Sequence, residues 1–307
     1  MKISIIGAGS VGSLTAMRLA QSGLGEVVLI DIVKGLAFGK SLDLEDARAI
    51  LSTHYNIEGS EDINKIRDSD IVVITAGLAR RPGMTREELL SKNSQILKEL
   101  SLNIKKLTPN SIVIVVTNPL DLMTYLVLKV TGFKRNKVFG MGISLDSSRF
   151  ANIIAKEFNL SVKDIEAVVI GSHGEAMLPL TGCTKVKGVS LNEFTNFDKI
   201  EELVQKTIGR GAEIVAALGT GSAFFAPSAA VASILNTIIK DENKIVGVCA
   251  YLDGEYGIRD ICLGVPCCLG KDGIKEIVEL DLSIDEEKRL NDAAKSIGQL
   301  VKELPLG

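Results

Sequence analysis

The stretch Lys2-Ile3-Ser4-Ile5-Ile6-Gly7-Ala8-Gly9-Ser10-Val11-Gly12 decides how the rest of the chain is read. Its first half is a short apolar, β-branched run, the length of a buried strand. Its second half is a G-x-G-x-x-G. After it, Val11, Leu14, Met17 and Ala20 recur at helical spacing and mark one apolar stripe. Strand, glycine turn and helix in that order place the free N–H groups and positive dipole end of the helix against a pyrophosphate. Gly7 permits the tight turn, Gly9 lets backbone approach the phosphates, and Gly12 lets helix and sheet pack closely. Ala8, Ser10 and Val11 complete the loop. The next apolar run, Val27–Ile30, ends at Asp31, 19 residues after Gly12. An acid there accepts hydrogen bonds from an adenosine ribose and repels a 2′-phosphate, so NAD is expected over NADP.

Outward from this unit the same kind of run recurs at Ile71–Ile74, Ile112–Val116, Ala167–Ile170 and Ile245–Tyr251. In the first half, longer segments of helical period separate the runs, with Leu89, Leu90, Leu97, Leu100 and Ile104 marking part of another stripe. Continuous apolar strands alternating with amphipathic helices predict an α/β fold, a doubly wound parallel sheet of Rossmann type. A second region begins near residue 145. A helical stretch from about Ile200 to Lys240 is expected to kink or break at Pro227. Ser283-x-x-Glu286 predicts the start of a terminal amphipathic helix. The expected organisation is a dinucleotide-binding domain over 1–143 and an α+β substrate-binding and catalytic domain over 144–307.

Composition narrows the functional classes. Charged residues make up 24% and hydrophobic residues 46%, ordinary for a globular protein. The net charge of −3 argues against tracking nucleic-acid phosphates. Nine Phe, four Tyr and no Trp leave little for base-stacking platforms. No apolar run approaches the length of a membrane-spanning helix. The N-terminal apolar stretch is too short, and too soon broken by glycine, for a signal peptide. The five cysteines form no C-x-x-C pair, so no metal site or disulfide framework is expected. A cytoplasmic location follows from these expectations.

Three further motifs carry chemistry. After the Ile71–Ile74 run comes Thr75-Ala76-Gly77-Leu78-Ala79-Arg80-Arg81-Pro82-Gly83-Met84-Thr85-Arg86, with a capping box at Thr85-x-x-Glu88. Guanidiniums on a loop leaving the C-terminal end of a parallel strand suit a ligand with carboxylates. Of two histidines, His54 sits in a polar stretch and is expected to be structural. His173 lies in Gly171-Ser172-His173-Gly174-Glu175, directly after a strand, where an imidazole can serve as general acid and base. In Ser144-Leu145-Asp146-Ser147-Ser148-Arg149 the acid and the base share a helical face, one to orient the imidazole and one to grip substrate. Asn118, in Thr117-Asn118-Pro119 after another strand, is placed to meet a substrate oxygen or the cofactor.

This ordered set resembles the lactate/malate dehydrogenase family, and most closely its lactate-dehydrogenase-like malate dehydrogenases of bacteria and archaea. The resemblance runs through G-A-G-S-V-G, Asp31, G-K-S-L-D-L, T-A-G-L-A-R-R-P-G-M-T-R, V-T-N-P, L-D-S-S-R, G-S-H-G-E and G-S-A-F-F-A-P. It implies that His173 moves the proton with Asp146 as its orienting partner. Arg149 would pair with the substrate's C1 carboxylate. Arg86 would polarise the reacting carbonyl as a loop closes. Arg80 would occupy the position where malate dehydrogenases have Arg and lactate dehydrogenases typically Gln. Gly7 to Gly12, Asp31, Asn93, Val116, Thr117 and Asn118 match NAD contacts, Asn118 a substrate contact as well. Ala223 matches a pocket wall. Two departures flank the histidine: Ser172 stands where Gly or Glu is common, and Glu175 where Asp is usual. The family forms dimers and tetramers, and Gly39 to Ile50 resembles its dimer helix.

The case for malate/oxaloacetate as substrate has a physical side. Oxaloacetate carries a second carboxylate that would cost several kcal/mol to bury unpaired. Arg80 would neutralise it. Pyruvate would leave Arg80 without a partner, and sites of that kind discriminate by about 10⁴-fold. The same-class alternative is a lactate or other 2-hydroxyacid dehydrogenase. The alternative from another class is a non-catalytic dinucleotide sensor, which would need the glycine loop and Asp31 but not His173, Asp146, Arg149 and Arg86.

Overall fold

The structure is a computed structural model that describes residues 1–78, 85–219 and 221–306, with Arg86 through its backbone alone. The chain opens with β1 (Lys2–Ile6), α1 (Ser10–Ser22), β2 (Glu26–Ile30), α2 (Leu36–Leu51), β3 (Asn56–Ser60) and β4 (Ile71–Ile74). It continues with α3 (Arg86–Leu107), β5 (Ile112–Val115), α4 (Leu120–Thr131) and β6 (Val138–Gly140). These six strands pair in parallel in the order β3-β2-β1-β4-β5-β6. That is the doubly wound Rossmann order, with its reversal between β1 and β4. All four residues of β4 and of β5 are buried, as expected of strands covered on both faces.

From α5 (Ile143–Glu157) onward the pairing becomes antiparallel. The short strands β7 (Ile165–Glu166), β8 (Val169–Gly171), β9 (Met177–Pro179), β10 (Lys185–Val186) and β11 (Val189–Ser190) come first. Then follow the helices α6 (Leu191–Phe194), α7 (Phe197–Leu218) and α8 (Phe225–Ile239). A long hairpin of β12 (Lys244–Asp253) and β13 (Arg259–Gly270) leads to β14 (Gly273–Ile277) and the terminal α9 (Ile284–Val301). Cys249 of β12 pairs with Gly140 of β6, so the hairpin extends the parallel sheet without a break. The main buried core runs from Ile3 and Val113 in the first half to Leu263 and Leu290 in the second. A smaller core around Phe150, Ile154 and Leu203 joins α5 to α7.

Both expected capping boxes form. The Thr85 hydroxyl accepts the Glu88 N–H, and Ser283 does the same for Glu286. Three expectations need correction. The buried face of α1 is Gly12, Thr15, Ala16, Leu19 and Ala20, while Val11, Leu14 and Met17 lie on its flank. Gly12 draws the helix so close to the sheet that small side chains make the contact. The Ile200–Lys240 stretch breaks before Pro227, because Gly219 and Gly221 take positive φ angles between α7 and α8. Pro227 sits in the first turn of α8, where its missing N–H costs nothing. Of the run Ala167–Ile170 only Val169 and Ile170 form strand, in β8 of the main sheet, while Ala167 and Val168 link it to β7 in the small β11-β10-β7 sheet. The exposed His54 lies in the loop after α2.

Candidate active site

Every parallel strand that carries a candidate residue delivers it at its C-terminal end: Gly7 after β1, Asp31 after β2, Thr75 to Gly77 after β4, Asn118 after β5 and Gly142 after β6. Open parallel sheets bind ligands along this edge, beside the point of strand-order reversal.

The glycine loop is shaped by steric exclusion. Gly7 has φ 110°, and a Cβ on it would lie 2.6 Å from the Ala76 nitrogen. A Cβ on Gly12 would overlap the Gly7 carbonyl oxygen. A Cβ on Gly9 would meet nothing within 4 Å, so its backbone faces open space at the uncapped N-terminus of α1. Open space of that kind fits a pyrophosphate approached by backbone N–H groups. Asp31 holds the loop: its carboxylate accepts the Ala8 N–H at 2.7 Å and the Val33 N–H at 2.9 Å. Each oxygen keeps a second lone pair for a ribose hydroxyl. Lys40 of α2 braces the same loop, donating to the Ala8 carbonyl at 2.7 Å and to Ser13 Oγ at 3.0 Å. Beside Asp31, Ile32 is almost fully exposed and Val33 more than half, an apolar surface fit for a flat base. These residues fit NAD.

Asn93 stands differently from its sequence expectation. It is fully buried in α3, and both ends of its amide are engaged by backbone. Its Oδ1 accepts the Leu78 N–H at 2.8 Å, and its Nδ2 donates to the Asn118 carbonyl at 2.7 Å. Asn93 therefore fixes the two loops that face a ligand and has no surface of its own to offer one. Thr117 does likewise, donating from Oγ1 to the Ala76 carbonyl at 2.7 Å. The side chain of Asn118, between them, is exposed.

The second half supplies the charges. Gly171 ends β8 and is followed by Ser172 and His173. His173 Nδ1 lies 2.7 Å from Asp146 Oδ2, and Arg149 Nη1 lies 3.1 Å from Asp146 Oδ1. One carboxylate on the first turn of α5 thus holds both groups. A carboxylate only accepts, so Nδ1 carries the ring proton and Nε2 presents its lone pair. Burial alone would weaken proton binding at His173. The Asp146 carboxylate outweighs it, with a smaller contribution from Asp121, and holds the imidazole above its ordinary pKa. The Arg149 side chain is largely buried, and its Nε has no protein partner. An enclosed guanidinium with a spare donor is chemically poised for a carboxylate. Gly142 brings the halves together: a Cβ there would overlap Leu120 and come within 3.0 Å of His173 Cβ.

Arg80 lies outside the described residues, and so does the side chain of Arg86. Ala223 lies partly exposed between α7 and α8. Two residues escaped the sequence reading as site components. Lys40 was visible only within a motif. Asp121 is a buried acid in the otherwise apolar first turns of α4, three residues after Asn118, and that anomaly was its signal.

Residues 1–140 match the lactate/malate dehydrogenase NAD binding domain, and residues 143–304 match the lactate/malate dehydrogenase alpha/beta C-terminal domain. The chain belongs to the lactate/malate dehydrogenase family. Among its relatives within that family, the malate dehydrogenase of Methanosarcina barkeri is 50% identical, over 99% of each chain. The solved malate dehydrogenase of Cryptosporidium parvum superposes with a TM-score of 0.96 at 39% identity, covering 99% of this chain and 98% of that one. The lactate dehydrogenase of the same organism, complexed with lactic acid and β-nicotinamide adenine dinucleotide, gives 0.95 at 38% identity, covering 99% and 97%. Lactate/malate dehydrogenases thus share this backbone across both substrates, and the cofactor of this family member is NAD.

Proposed function

We propose that this chain is an NAD-dependent oxidoreductase acting on a CH–OH group, and that it interconverts (S)-malate and oxaloacetate. The observation that carries the reading is the buried Asp146 carboxylate bridging His173 and Arg149 at the ligand-binding edge of a dinucleotide fold. Similarity to archaeal and bacterial malate dehydrogenases at 42–50% identity supports malate as the substrate. Backbone similarity does not separate malate from lactate, so the choice falls to the side chain at Arg80.

The roles follow from charge and geometry. In malate oxidation, neutral His173 accepts the C2-hydroxyl proton at Nε2. Asp146, already bonded to Nδ1, stabilises the imidazolium so formed. Bound NAD supplies the hydride acceptor. Arg149 holds the C1 carboxylate, its Nε having no protein partner and its Nη1 being tied to Asp146. Asn118 donates to the substrate oxygen from its exposed side chain. Arg86 polarises the carbonyl, and Arg80 pairs with the second carboxylate. In oxaloacetate reduction, the imidazolium returns the proton. Loop closure over the pair excludes water and strengthens each of these interactions.

On this reading the protein acts in the cytoplasm at a step of the tricarboxylic acid cycle. Residues 1–143 serve the cofactor and 144–307 the substrate. It works as a homo-oligomer, dimer or tetramer, because α2 presents Phe38, Leu42 and Ile50 to solvent as an apolar face. Among the described residues no helix is long and apolar enough to cross a membrane.

The test is NADH oxidation followed by absorbance with oxaloacetate and, separately, with pyruvate. The expected outcome is strong preference for oxaloacetate, reversed or erased in Arg80→Gln. Preference of the unaltered protein for pyruvate would reject malate.

A further inference from the structure

A cation is hydrogen-bonded to the glycine loop from the side of α2. The Lys40 ammonium donates to the Ala8 carbonyl at 2.7 Å and to Ser13 Oγ at 3.0 Å, and the Ser13 hydroxyl donates to the same carbonyl at 2.9 Å. The Ala8 N–H is taken by Asp31 at 2.7 Å. Ala8 is fully buried, so side chains from the end of β2, from α1 and from α2 anchor both of its backbone groups. The stem of Lys40 starts from a fixed point. A Cβ on Gly59 of β3 would overlap the Ala37 carbonyl oxygen, so the missing side chain lets the start of α2 lie directly on the sheet. Ala37 is fully buried there, while Phe38 and Leu42 on either side of Lys40 face solvent. Lys40 follows Ala37 by three positions and shares its inward face.

A peptide group is planar and trans, so its C=O and N–H point opposite ways. Holding the Ala8 carbonyl toward α2 therefore turns the Gly9 N–H away from α2, at the start of a helix that has no side-chain cap. A charged donor also polarises the peptide it holds, which strengthens the N–H at the far end. The electrostatic sum favours the same role. A dinucleotide brings two phosphate charges into the neighbourhood of the Asp31 carboxylate. The N-terminus of α1 offsets about half a charge, and the Lys40 ammonium adds a whole one.

We propose that Lys40 is a positioning residue for the cofactor's pyrophosphate. It clamps the peptide between Ala8 and Gly9 with the N–H turned to the phosphates, and it sets a full positive charge behind the loop. The charge, and not the hydrogen bonds alone, then governs how tightly the phosphates are held.

The experiment measures binding by NADH fluorescence, with ADP and adenosine as competing probes. Lys40→Gln keeps a donor for the Ala8 carbonyl but removes the charge. It is expected to weaken NADH and ADP by about tenfold and to leave adenosine, which has no phosphate, unchanged. Added salt should weaken NADH more steeply in the unaltered protein than in Lys40→Gln, because the lost charge is what the salt screens. Lys40→Arg should recover most of the affinity. In turnover, the KM for NADH should rise in Lys40→Gln far more than kcat falls. Equal loss of ADP and adenosine, the mark of a purely structural brace, would overturn the proposal. So would a Lys40→Gln protein that binds NADH as the unaltered one does. If Lys40→Gln does not fold, Ser13→Ala decides: it removes the hydroxyl and leaves the charge, so ADP affinity should hold within about twofold. A tenfold loss there would mean that the hydrogen bonds, not the charge, set the affinity.

Discussion

The two binding regions are built on opposite principles. At the first, around Gly7 to Gly12, recognition depends on absent side chains: backbone N–H groups, one bracing lysine and space where Gly9 has no Cβ. At the second, around His173, it depends on side chains brought out of water, where Asp146 serves two partners and Asp121 a third. A backbone site tolerates any substitution that leaves its shape. A buried charged site tolerates almost none, because each group is the counterweight of another.

This contrast can be broken most forcefully at His173. His173→Asn is expected to lower turnover with oxaloacetate by about 10²–10⁴-fold while NADH still binds, read by steady-state kinetics and by NADH fluorescence. Equal loss of NADH binding would mean that the two regions are not separable. Next comes Asp146→Asn, which leaves Arg149 enclosed without its counter-charge. It should cost about 3–5 kcal/mol of stability in denaturant titration, beyond its effect on kcat. In the glycine loop the effects should divide by position. Gly12→Ala forces a side chain onto the Gly7 carbonyl and should impair folding itself. Gly9→Ala should leave the melting temperature unchanged and weaken NADH by about tenfold, ~1.4 kcal/mol. Equal stability of the two variants would contradict the steric account.

The pH dependence sharpens the same comparison. The imidazolium of His173 is held above its ordinary 6.5. Reduction uses the protonated form, so its rate should fall as pH rises through that raised midpoint, while malate oxidation rises over the same range. The raised pKa also stabilises the fold below about pH 6.5, an increment lost as pH climbs through the folded midpoint. NADH affinity, resting on backbone groups, should stay nearly flat there.

The smallest effect is expected far from both regions. Lys129 sits 4.9 and 4.7 Å from the ring centres of Tyr125 and Tyr251 and 2.7 Å from Asp260. Lys129→Ala should cost only about 1 kcal/mol in thermal unfolding, with kinetics unchanged.

The backbone region was the more legible from sequence, because glycine spacing and a strand-end acid are local signals. So were the capping boxes that start α3 and α9. The charged region could be read only as separate motifs, since Asp146 and His173 meet through strand pairing that no spacing reveals. Asp121 showed only as an acid in an apolar helix start, and its partners in the second half of the chain were hidden for the same reason. Two strands were obscured by their own composition. In β3, Asn56, Glu58 and Gly59 mask an edge strand with only Ile57 and Gly59 turned inward. In β13, Gly264, Pro266 and Gly270 read as breakers. Pro266 is tolerated because its neighbour changes there from β8, paired at Gly264, to β14, paired from Cys267.

The hydrogen-bonded passage from β6 to β12 has a thermodynamic consequence. A sheet continuous across the chain, with one core running from Ile3 to Leu290, leaves no seam along which half the molecule can melt alone. Stabilisation delivered at the glycine loop is then shared by the terminal helix α9, which packs on α4, β8, β9 and β13. Saturating the cofactor at about a hundred times its dissociation constant adds ~2.7 kcal/mol to the cooperative unit as a whole. Slowed amide exchange in α9 on addition of NADH would be its signature.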